Sequence, residues 1–85
     1  MKTLVFKESN SSAWAFDDDH VIDMQENKVL VTAPWGAVLD IPWMNKNNTL
    51  IYENVTLPDG WGFRSHFYDG STWSPDPTRG GGNNA

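Results

Sequence analysis

Asp17, Asp18, Asp19, His20 and Asp23 form the densest group of candidate metal ligands in the chain. A helix–loop–helix calcium loop needs alternating oxygen ligands, glycine at its sixth position and a bidentate glutamate at its twelfth. Counted from Asp17, those positions hold Ile22 and Lys28, so that motif is absent. Asp17, Asp19 and Asp23 can converge on a surface cation only if the fold gathers them, and a solvated acidic turn explains them more simply. His20 and His66 are the only histidines and there is no cysteine, so a structural zinc site would have to borrow carboxylates. No metal and no cofactor is expected.

Catalytic sets fare no better. Ser65 or Ser71 with His66 and Asp69 supplies the residue types of a Ser–His–Asp triad, but no nucleophile elbow or oxyanion-hole glycine run accompanies them. His66 is more simply an outward-facing strand residue. Carboxylate pairs for glycoside chemistry need a deep substrate cleft, which a domain of this size has little volume to build. Gly80 to Gly82 lack the strand, helix and lysine of a phosphate loop. Asn-x-Ser/Thr triplets begin at Asn10, Asn47 and Asn54, as an Asn- and Ser-rich composition produces by chance. No catalytic residue is assigned, and the chain is expected not to be an enzyme.

The five tryptophans carry more information. Trp14 and Trp73 sit in alternating patterns and should anchor strands. Trp35, between Pro34 and Gly36, and Trp61, after Asp59-Gly60, stand at turns, while Trp43 precedes Met44 and an Asn-rich loop. Turn tryptophans either fold back over a small core, the simpler expectation, or project as a contact surface, since Trp is enriched at hot spots and stacks on sugar rings. Trp35, Trp43, Trp61 and Tyr68 are the expected contact residues.

The elements that position these residues belong to a chain of 85 residues, enough for one domain. Such a chain buries only about 60% of its unfolded surface, and no disulfide can staple it. Four Phe and two Tyr join the tryptophans, an aromatic load that argues against disorder. Six basic residues stand against eleven acidic ones, for a net charge of −5, and no two basic residues are adjacent. Nucleic acids and anionic membranes select clustered cations, so neither is an expected partner. No apolar run approaches the ~20 residues of a membrane span, and the first ten residues do not read as a signal peptide. The chain is expected to stay where it is made.

Alternation of period two runs through most of the sequence. TLVFK and SAWAF read as a hairpin about Glu8 to Ser11, pairing Lys7 with Ser12 and Val5 with Trp14. Leu4, Phe6, Ala13 and Ala15 then share one face, and Thr3, Val5, Trp14 and Phe16 the other. Val21 to Ala33 reads as a second hairpin about Gln25 to Asn27. Its rival is a short helix from Asp17 to Lys28 with an aspartate cap but only a thin apolar stripe. Ala37 to Trp43 alternates as a half-buried strand, placed at an edge by Pro42. TLIYENVTL follows as a strand. Trp61 to Tyr68 is another, with Trp61, Phe63, Ser65 and Phe67 on one face. A tight turn at Asp69 to Thr72 sets Trp73 across from Tyr68. Residues 1–74 should form the domain and residues 75–85 an extended Pro/Gly-rich tail. Turn signals about every ten residues mark an all-β fold, a small antiparallel barrel or two-layer sheet of about six or seven short strands.

The C-terminal half, with Asn47, Thr49, Leu50, Glu53, Asn54, Val55, Thr56 and Pro58 followed by Tyr68, Asp69, Gly70, Thr72, Trp73 and Pro77, resembles small proteins of T4-like marine phages of cyanobacteria. The MKTL start and WAFDDDHVI extend that resemblance over most of the chain, while Phe67 and the terminal GGGNNA depart from it. Similar endings occur in phage fibre-associated proteins. The resemblance implies a phage origin; with strand edges and turn aromatics available for contact, the expectation is a virion-associated structural protein, made in the host cytoplasm and carried into the particle, that binds itself or other tail, baseplate or capsid proteins. Two further roles are compatible with it: a glycan-binding module used in host adsorption, and an early protein that occupies a host enzyme.

Overall fold

The computed structural model describes residues 1–77, and these contain eight short strands and no helix. They are β1 (Lys2–Phe6), β2 (Ser12–Phe16), β3 (Val21–Met24), β4 (Val29–Thr32), β5 (Val38–Ile41), β6 (Thr49–Tyr52), β7 (His66–Tyr68) and β8 (Trp73–Pro75). Two three-stranded sheets, in the orders β2-β1-β6 and β3-β4-β5, and the hairpin β7-β8 are all antiparallel. The sheets do not close into a barrel; the all-β two-layer reading fits.

Alternation along β1 organises the interior. Leu4, fully buried, joins Ala13, Val29, Val31, Ile41 and Met44 in a core between the two three-stranded sheets. Its neighbour Val5, equally buried, meets Val55 and Tyr68 in a second cluster, with Tyr52, Leu57 and Trp73 packed around it. The first strand is therefore covered on both faces. Each fully buried aliphatic side chain there contributes about 1.5–3 kcal/mol by leaving water.

The β1–β2 register differs from the sequence expectation by two residues next to the turn and by one beyond the bulge. Leu4 faces Trp14 and Val5 faces Ser12, so Ala13 is an extra residue in β2. The turn is Lys7 to Asn10, closed by the Phe6 N–H on the Ser11 carbonyl at 3.0 Å, with Asn10 left-handed at φ 65°. The bulge brings Ala13 and Trp14 to the side of Leu4. Trp14 and Phe16 consequently pack on the first core with Phe6, not beside Val5. Thr3, left on the other face, links through its buried hydroxyl to Ser12 Oγ at 2.6 Å and to the Trp14 carbonyl at 2.8 Å.

The second hairpin forms as strands, with Val21 facing Thr32 and Met24 facing Val29, and the helical alternative is not realised. β5 ends at Ile41, just before Pro42, and is an edge strand as expected, though only Ile41 of its four residues is buried. β6 stops at Tyr52, and Asn54 at φ 58° turns the chain away. The long strand expected over Trp61 to Tyr68 shrinks to three residues, because Arg64 takes φ 57° and its N–H bonds the Ser12 carbonyl at 3.1 Å. Tyr68 does face Trp73, with ring centroids 4.4 Å apart. Of the expected tail, Pro75 pairs with His66 and the Asp76 N–H bonds the Ser65 carbonyl at 2.9 Å, while residues 78–85 lie outside the described residues.

Gly70 shows how tightly that hairpin seats. At φ 103°, a Cβ there would lie 3.2 Å from Tyr52 Cε1. Gly70→Ala is therefore expected to lower stability by about 1–2 kcal/mol, combining strain with a forced shift of Tyr52. A urea melt of the variant reads that loss directly.

Candidate functional site

Side chains from six segments assemble one row of rings on the surface. Trp35 meets His20 edge-on at 5.5 Å, and His20 meets Phe16 at the same separation. Phe16 stacks on Trp14 at 5.8 Å with the planes 7° apart. Trp14 leads on to Trp43 at 6.1 Å and to Phe63 at 5.7 Å. Trp43 then reaches Phe6 at 5.9 Å, and the Arg64 guanidinium caps Phe6 at 5.4 Å from the ring centre. Ring pairs of this kind contribute about 0.5–1.5 kcal/mol each, so the row holds its own shape.

Trp35 is 75% exposed, Phe63 53% and Trp43 43%. That leaves a broad aromatic surface open to solvent, unusual for a small domain unless something covers it. Each end of the row opens into a depression. Beside Trp35 lies a small apolar cleft of about 170 Å³ between Phe16, Val31, Ala33 and Leu39. Beside Phe6 lies a larger groove of about 590 Å³, bounded by Lys7, Glu8, Ser9, Asn47, Asn48 and Arg64.

Of the expected contact residues, the structure brings Trp35 and Trp43 into this row. Trp61 is half-buried, and its indole N–H donates to Ser12 Oγ at 3.0 Å, so it folds back over the interior. Tyr68 is buried against Val5, and its hydroxyl donates to the Gly70 carbonyl at 3.0 Å. Phe6, Trp14, Phe16, Phe63, His20 and Arg64 complete the row without having been singled out as contacts. The aromatic count hinted at such a surface, but their convergence depends on the β2 bulge and the Arg64 turn.

β5 adds a second kind of contact surface, since no described strand pairs with its outer edge. The Ala33 N–H bonds the Ala37 carbonyl at 2.8 Å. Alternation of the ladder then turns the main-chain groups of Val38 and Asp40 outward, and Val38 is 62% exposed.

The other candidate groups are occupied locally. Asp19 pairs with His20 Nδ1 at 3.0 Å, Asp18 with the Met1 amino group at 2.8 Å, and Asp23 accepts from Gln25 at 2.7 Å. Among the described residues no three His, Asp or Glu side chains gather into a metal site. His66 is buried rather than outward-facing, with Nδ1 2.7 Å from Ser65 Oγ. That hydroxyl also accepts from the Gly62 N–H and closes its turn. Asp69 is not their third member. Its carboxylate accepts the N–H groups of Thr72 at 2.8 Å and Ser71 at 2.9 Å.

Those two main-chain bonds, Thr72 first, hold the Asp69 carboxyl below its ordinary value. A depressed folded pKa means the turn's stabilisation is fully present above the unfolded value, near ~3.9, and is lost as pH falls through the folded one. NMR titration of the Asp69 carboxyl should give a midpoint below that of an unstructured aspartate. A midpoint at or above it would contradict the turn geometry.

No family model, curated protein or solved structure matches this chain.

Proposed function

We propose that this chain is a non-enzymatic interaction protein of a phage particle, docking onto other particle proteins or a second copy through its aromatic row and the open edge of β5. The observation that carries the reading is the continuous run of rings from Trp35 to Phe6, three of them well exposed. Trp and Arg are the residue types that dominate protein contacts, and an unpaired strand edge can extend a neighbour's sheet through main-chain bonds. The resemblance to small phage proteins supplies the setting.

The test is particle proteomics with solution mass. The chain is expected in purified particles, retained there in its native form and lost in a Trp35→Ala/Trp43→Ala variant that still folds. A monomer absent from particles overturns the proposal.

A second reading, a glycan-binding module acting in adsorption, is favoured by the 590 Å³ groove adjoining the exposed rings. Aromatic faces take sugar rings, and the groove's amide, hydroxyl and charged side chains suit sugar hydroxyls.

A further inference from the structure

Arg64 departs from the local rules of the fold. Non-glycine residues rarely adopt positive φ, and Asn tolerates it best. Asn10 and Asn54 obey that preference, whereas Arg64 holds φ 57° with a long side chain. Its guanidinium lies over Phe6, and among the described residues its buried Nε has no hydrogen-bond partner and no carboxylate lies within ion-pair distance. A residue kept in a costly conformation with its charge uncompensated points to a role outside folding.

The same groove receives a second cation. Lys7 lines it, and among the described residues its ammonium finds only the Lys46 carbonyl, at 3.2 Å. Two cations thus face one carboxylate, Glu8, in a chain whose net charge is −5. The local sign is opposite to that of the molecule.

We propose that this groove binds a carboxylate-bearing sugar unit of an acidic glycan, which rests on the second reading above and names its ligand class. Arg64 and Lys7 hold the carboxylate, by the charge-assisted bonds that guanidinium groups form with such anions. Ser9, Asn47 and Glu8 meet ring hydroxyls. Trp43, 5.9 Å from Phe6, offers its exposed face to the adjoining sugar. Glu8 disfavours densely charged polyanions while accepting hydroxyl donors, and the neighbouring ring surface favours a saccharide over an acidic peptide.

The experiment titrates the full chain with trigalacturonate, maltotriose and hexaglutamate, following tryptophan fluorescence and calorimetry. Trigalacturonate is expected to bind at least tenfold more tightly than maltotriose and to weaken with added salt. Arg64→Gly, which suits the positive φ, and Arg64→Gln should each weaken trigalacturonate at least tenfold and remove most of its advantage over maltotriose. Equal binding of both trisaccharides overturns the inference and leaves the glycan reading standing. Binding of neither overturns both. Tighter binding of hexaglutamate overturns the inference in favour of an acidic peptide. A folded Arg64→Gln variant that binds trigalacturonate like the native chain also overturns it.

Discussion

Leu4→Ala is expected to unfold at a temperature on the order of 10–25 °C below the native chain. Leu4 is fully buried at the centre of the core and pairs across β1 with both Trp14 and Ile51. Truncating a leucine in such a site costs about 2–5 kcal/mol, because sheets on either side cannot collapse into the void. An 85-residue domain has roughly 4–13 kcal/mol of total stability, so the variant sits near the edge of folding. Calorimetry reads the shift, and a change of only a degree or two would mean that the two sheets are not packed through Leu4.

Ser12→Ala is expected to cost about 1–3 kcal/mol, a large effect for the removal of one oxygen. Trp61 donates its indole N–H to Ser12 Oγ at 3.0 Å, Ser12 reaches Thr3 Oγ1 at 2.6 Å, and Thr3 donates to the Trp14 carbonyl at 2.8 Å. Each hydroxyl in this relay accepts from one neighbour and donates to the next, so removing the middle member leaves the Trp61 N–H without its acceptor and the buried Thr3 hydroxyl without its donor. Urea melts measure the loss. Trp61 emission should shift to the red as the indole loses its tether, whereas Thr3→Val/Ser12→Ala together should cost less than the sum of the singles. Strict additivity would show the relay to be three separate bonds.

The β3–β4 hairpin and the Tyr68–Trp73 pair were legible because alternation and turn residues are local signals, and both hairpins span few residues. The β1–β2 register was not. An extra residue at Ala13 leaves the apolar alternation of SAWAF looking regular while moving Trp14 to the opposite face. Nothing local pairs β1 with β6 either, since Thr3 and Tyr52 meet only through the tertiary fold. The site divides in the same way. Trp35 and Trp43 stand out by type and position, yet their row is completed by Phe6, Trp14, Phe16 and Phe63, whose convergence no spacing reveals. Trp61, at a turn, and Tyr68, ending β7, are aromatic too, but Ser12 and Gly70 engage their polar atoms inside.

The placement of β1 between β2 and β6 sets the timetable of assembly. Lys2–Phe6 leaves the ribosome before its partner strand, and one flank of it stays vacant until Thr49–Tyr52 has also emerged. Its second face stays wet until Val55 and Tyr68 follow. Closing so long a loop delays the reward of burial. Nascent chains halted before the sixth strand therefore hold partners for Leu4 in Val29, Val31 and Ile41 but none for Val5, whose face of the first strand is the last to be sealed.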